Sequence, residues 1–128
     1  MSRKEVIDVQ VNAAAGGTTT VSLETILDVG QYKLVEVNGW LTSANIGAGA
    51  AIACSRVRAG VAATVVSGMS ESTQALQNAA AAGTAVYALG YGNSGDLSTL
   101  FFVPTDSFRV TSTANTGAAE LHLKFVRV

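Results

Sequence analysis

The sequence predicts an all-β fold, a single-domain antiparallel β-sandwich of jelly-roll type, on three observations. Apolar and polar residues alternate with period two at both ends of the chain. Ile7, Val9 and Val11 stand against Asp8 and Gln10, and Leu121, Leu123 and Phe125 against His122 and Lys124. That is the signature of strands buried on one face. Strand-like segments recur at intervals of about 8–15 residues, with no helical segment between most of them. Turn-forming clusters, including Gly90 to Asp96 and Asn115-Thr116-Gly117, separate several of them.

The first strand runs from Val6 to Val11 and is broken by Ala13-Ala14-Ala15-Gly16-Gly17. Thr18 to Leu23 is β-branched and strand-like. Glu24 to Gln31 reads as a short crossing segment ending at Gly30. Tyr32 to Leu41 is a strong strand by composition, polar at Lys33, Glu36 and Asn38, and Ala50 to Arg58 follows the glycine-rich loop 45–49. Ser70 to Gly83 combines helix formers with a glycine placed as a C-cap, but Leu76 is its only large apolar residue. This stretch is open between a short surface helix near 70–82 and a loop. Thr84 to Leu89, Ser98 to Val103 (closed by Pro104), Ser107 to Thr113 and Glu120 to Val128 complete the strands. The last two are joined by residues that tolerate positive φ. At Phe125-Val126 the apolar residues switch faces, which predicts a bulge or a strand end buried on both sides.

At 128 residues and 13.0 kDa the chain is sized for one domain, 1–128. The formal net charge of −1, with eight scattered basic residues, argues against nucleic acid as a partner. No stretch approaches the roughly 18 apolar residues of a membrane span. The start, Met1-Ser2-Arg3-Lys4-Glu5, lacks the apolar core of a signal peptide, so synthesis in the cytoplasm is expected. Only 13% of the side chains are charged, whereas a freely soluble monomer carries about 25–35% on its surface. The expectation is a chain covered by copies of itself or docked on something larger.

Catalytic chemistry needs clusters of His, Cys, Asp, Glu or Lys, and this chain has one His and one Cys. Cys54 reads as a small buried hydrophobe. Gly90-Tyr91-Gly92-Asn93-Ser94-Gly95 matches the G-x-G-x-x-G pattern, but a strand-like segment follows where a dinucleotide site needs a helix. His122, between Glu120 and Lys124, reads as a solvated or interface residue on the polar face of the last strand. Asp28, Asp96 and Asp106 are too dispersed for a calcium loop. No enzyme, cofactor or metal site is expected.

What remains is a set of contact candidates. Arg56 and Arg58 share one face of a strand, where they form either a bidentate contact to acidic groups of a partner or a pair of edge charges that deter aggregation. Arg3 and Lys4, ahead of the first strand, make residues 1–5 either a docking arm or a frayed terminus. Trp40 with Tyr32, or Tyr91 in its turn, is the material for a sugar-stacking platform, but Trp40 reads better as a core residue.

The order of segments adds a resemblance. An early Asp-Val-Gln-Val strand is followed by TTTVSL, the aliphatic YKLVEVNGWL, an Ala/Gly-rich middle and the ending FRVTSTANTGAAELHLKFVRV. In this style the chain resembles the small β-sandwich virion proteins of tailed bacteriophages, especially capsid decoration (cement) proteins and the heads of short capsid fibres. The resemblance implies a homo-oligomer, most often a trimer, that binds the major capsid protein or another virion protein on the capsid surface of the virion. It implies stabilisation of the assembled shell, since a protein that binds only the lattice stabilises it by mass action. The alternatives are a tail, collar or fibre component and, from another class, a carbohydrate-binding module.

Overall fold

The alternation expected at the N-terminus becomes a strand whose inward residues are Val9, Val11 and Ala13. The computed structural model of the chain describes residues 5–42, 52–69, 87–88, 100–114 and 117–128. Within them run β1 (Val6–Ala13), β2 (Thr18–Ser22), β3 (Tyr32–Leu41), β4 (Ile52–Arg58), β5 (Val61–Met69), β6 (Tyr87–Ala88), β7 (Phe101–Phe102), β8 (Ser107–Ser112) and β9 (Ala119–Arg127). The stretch 70–82, open between helix and loop in the sequence, lies outside the described residues.

The strands form two antiparallel sheets that pack face to face. One has the order β1-β9-β3-β6, with β7 also on β3, and the other β2-β8-β4-β5. This is a jelly roll, and its logic is that of one long hairpin rolled up. From the tip outward, β4 pairs with β5, β3 with β6 and β7, β2 with β8, and β1 with β9. Rolling then brings β4 against β8 and β3 against β9. The tip is the two-residue loop Ala59-Gly60, with φ of 50° and 79°. Positive φ at both central positions is the type I′ geometry that matches strand twist. The tip and β5 have no counterpart among the sequence expectations.

Inward residues of both sheets meet in one core that includes Leu23, Leu34, Ile52, Val110, Leu121 and Leu123. Phe102 joins the layers, edge-on to Phe125 of β9 at 5.1 Å and tilted against Phe108 of β8 at 6.4 Å. Aromatic pairs in such geometry add to their burial energy. Cys54 is fully buried, as its sequence reading has it, and burial pushes its thiol up to about 12.

The bulge sits elsewhere than expected. β9 alternates regularly through Phe125, whereas β3 shifts register between Leu34 and Glu36, opposite Phe125 and Lys124. Val35 is the extra residue, and it is exposed. Without the bulge, strict alternation would turn Glu36 with Leu34 into the core and Val37 to solvent. With it Val37 is buried and Glu36 stands on the surface beside Lys124, 3.8 Å away.

Candidate functional site

Arg56 and Arg58 belong to β4, which is an inner strand between β8 and β5, so they are not charges on the edge of their own sheet. Their side chains lie on the inward side at the open end of the sandwich, where the chain passes from β7 to β8. That passage is a tight turn, Val103-Pro104-Thr105-Asp106, closed by the Asp106 amide donating to the Val103 carbonyl at 2.9 Å. Pro104 takes the position whose φ proline already has. The Asp106 side chain folds back to accept from the Val103 amide at 2.9 Å. Arg58 then grips both its oxygens, Nε to Oδ1 at 2.8 Å and Nη2 to Oδ2 at 2.9 Å.

The bidentate carboxylate contact expected of this arginine pair is therefore made, but with the chain's own Asp106. Burial would raise the Asp106 carboxyl, yet the Arg58 guanidinium and the Val103 amide outweigh it and hold the group below its usual range. Arg56 Nη1 and Arg58 Nη2 also donate to the Phe101 carbonyl, at 2.8 and 3.2 Å. Phe101 lies on the edge of the opposite sheet, so the two arginines cap an edge carbonyl and tie the layers together. The cluster is a structural latch, and neither its carboxylate nor that carbonyl is left for a partner.

A third arginine, Arg127 of β9, forms a separate anchor. Arg127 donates to Glu5 Oε1 at 2.9 Å, to the Val29 carbonyl at 2.6 Å and to the Tyr32 hydroxyl at 2.7 Å, with its guanidinium 5.0 Å from the centre of the Tyr32 ring. It fastens the crossing segment 24–31, where the Ile26 and Leu27 amides both donate to the Leu23 carbonyl. Gly30 has φ of 144°, and a Cβ there would fall 2.5 Å from Arg127 Nη1. The positive φ is what favours glycine here, and a Cβ would in addition displace the Arg127 guanidinium from its position.

The outer faces of the two sheets differ sharply. Across β1, β9 and β3 the registers align Asp8, Lys124 and Glu36 in one row and place Gln10 beside His122 and Asn12 beside Glu120. His122 donates from Nε2 to Glu120 Oε2 at 2.7 Å on this open face, with 41% of its side chain exposed. Among the described residues no group of three or more His, Cys, Asp and Glu converges as a metal site would require.

The face of β2-β8-β4-β5 is different in kind. Its registers align Thr18, Thr111 and Ala53; then Thr20, Arg109, Ser55 and Thr64; then Ser22, Ser107, Val57 and Ala62. Arg109 is the one formal charge in these rows. The rest are short side chains.

Of the sequence candidates, the structure brings Arg56 and Arg58 together at the latch. Arg3, Lys4 and Tyr91, and with them the docking arm up to residue 4 and the whole of 90–95, lie outside the described residues, as does the Trp40 side chain. The backbone of Trp40 pairs with Glu120 and Ala88. The sequence holds no signal that marks the latch carboxylate Asp106 as a partner for arginine. Pro104 just ahead of it was the local sign of a tight turn, but the long-range pairing left no trace in spacing. Among the described residues no helix is long and apolar enough to cross a membrane. No protein-family model matches the chain, and no curated protein matches it in sequence.

Proposed function

We propose that the chain is a non-enzymatic structural protein of a tailed-bacteriophage virion, a capsid decoration protein that binds the assembled shell as a homo-oligomer and stabilises it. The observation that carries the reading is the outer face of β2-β8-β4-β5. A layer of Ser, Thr, Ala and Val has only the charge of Arg109 to desolvate, and its short side chains allow close approach of another backbone with which the hydroxyls can pair. The jelly-roll order supports the same reading, since the architecture recurs in viral capsid proteins, though it also hosts lectins and so does not decide function. A trimer is the form that the family resemblance favours. On this reading the face docks on the major capsid protein and adds its binding free energy to the lattice.

The test uses particles produced by the genome that encodes this chain. Particles lacking it should release DNA at a lower temperature, and adding the purified chain should restore the parent value. Antibody against it should label the shell. Label confined to tail or fibre would move the protein to that part of the virion, and unlabelled particles with unchanged DNA release would overturn the reading. Within the face, Thr64→Glu should leave the fold intact and weaken shell binding tenfold or more, because an unpaired charge would have to be desolvated. Lys124→Ala, on the other sheet, should leave binding unchanged.

A further inference from the structure

The two sheets present four edges, and three of them are blunted against pairing. β2 is five residues long. β5 shifts register twice against β4, between Ile52 and Cys54 and between Cys54 and Ser55. At the opposite edge of the first sheet, Arg56 and Arg58 occupy the Phe101 carbonyl of β7. Short strands, bulges and charges at the edge are the usual devices that prevent edge-to-edge association. β1 is the least protected: it is eight residues long, pairs with β9 without a register shift from Val6 to Ala13, and carries neither Pro nor Lys, with Asp8 as its one charge.

The hydrogen-bonding sense of β1 follows from its first rung. The Arg127 amide donates to the Glu5 carbonyl, so Glu5 is in a hydrogen-bonded pair. Such pairs alternate along an antiparallel ladder. Ile7, Val9, Val11 and Ala13 therefore direct their amides and carbonyls toward β9. Val6, Asp8, Gln10 and Asn12 direct theirs away from it, and among the described residues these backbone groups have no partner.

We propose that this edge joins a second copy of the chain, β1 against β1 antiparallel, about a two-fold axis at Val9. That centre pairs Val6 with Asn12 and Asp8 with Gln10 of the other copy, and reciprocally. All four outward residues then exchange both of their backbone bonds. A centre one residue on, at Gln10, would leave Val6 without an opposite number among the four. The Val9 register also keeps side chains on matching faces: Asp8 and Gln10 continue the polar outer surface, while Ile7, Val9 and Val11 continue the apolar inner one. Asp8 meets an amide instead of its own copy, so no like charges face each other. The strand is self-complementary, as an isologous contact requires.

A two-fold contact produces dimers, or a hexamer if each copy also sits in a threefold ring. It does not depend on the virion reading, because it concerns the purified chain alone and survives a failure to bind capsids. Sedimentation velocity on the full-length protein at micromolar concentration should show an even-numbered assembly; a monomer or a trimer overturns the proposal. Gln10→Pro removes an amide that points away from the protomer's own ladder, a position where an edge strand tolerates proline. This variant should keep its β-sheet circular dichroism and lose the even-numbered species, and a folded variant that retains it overturns the proposal.

The register is tested by charge. Gln10→Lys puts a cation opposite Asp8 twice per dimer and should tighten association about fivefold. Gln10→Asp puts like charges there and should weaken it by a similar factor, both effects fading at high salt. Equal effects of the two substitutions would overturn the Val9-centred pairing, and this comparison holds even if the proline variant fails to fold.

Discussion

Arg58 and Arg127 perform the same task at different places in the sandwich. Each guanidinium makes three hydrogen bonds between 2.6 and 3.2 Å, and each fastens a segment that crosses between strands. They differ in the carboxylate they hold. The Asp106 side chain is 0% exposed, whereas Glu5 is 44% exposed. The cost of losing a partner is set by what is left behind, so an orphaned Asp106 stays buried and charged while an orphaned Glu5 returns to water. Burial of the acceptor, not the number of contacts, ranks the two anchors.

The largest expected effect breaks the buried anchor. Arg58→Ala should destabilise by about 2–3 kcal/mol in urea unfolding, below the full range for buried pairs because the Arg58 side chain is itself 44% exposed. Acid titration sharpens the same point. In the parent, Asp106 is held below its usual range, so its contribution is complete above about pH 4 and is lost as pH falls through the lowered value. In Arg58→Ala, burial without the guanidinium raises the carboxyl. The variant's deficit should therefore shrink on acidification, measured as the difference in midpoint between pH 7 and pH 4.

Arg127→Ala should cost less than Arg58→Ala, mostly from the buried Tyr32 hydroxyl and the Val29 carbonyl losing a donor. If it costs as much as Arg58→Ala, burial of the carboxylate is not what separates the anchors. At the hairpin tip, Ala59→Asn should stabilise by about 0.5–1 kcal/mol, since asparagine accepts positive φ more readily than alanine. The smallest effect belongs to the exposed pair on the outer sheet: Lys124→Ala should change stability by less than about 0.5 kcal/mol, given its 3.8 Å separation from Glu36 and the exposure of both.

Most strands were legible because one-sided burial writes itself into a period of two. Tyr32–Leu41 matches its expectation end to end, and β1, β2, β4, β8 and β9 fall within a few residues of theirs. The tip and β5 were missed because Ala59-Gly60 lacks the Asn-Gly signature and VAATVVSGM does not alternate. Two register shifts explain why: in a bulged strand the period-two rule is interrupted twice within nine residues. The face switch at Phe125-Val126 pointed to the right neighbourhood, but the bulge that reconciles the faces belongs to the partner strand at Val35. YKLVEV carries that signal in its own apolar spacing, with Leu34 and Val35 adjacent and Val37 next.

The sequence by itself determined the all-β class, most of the strands, the burial of Cys54 and the scarcity of side chains able to do chemistry, because each of these depends on residue type and local period. Tertiary structure alone decided where the arginines act and which surfaces face outward. Arg58 meets Asp106 across 48 positions and Arg127 meets Glu5 across 122, distances at which spacing carries no information. The contrast between a charged sheet face and a bland one likewise arises only when the rolled hairpin sets β2, β8, β4 and β5 side by side, bringing short side chains from four separate segments into common rows.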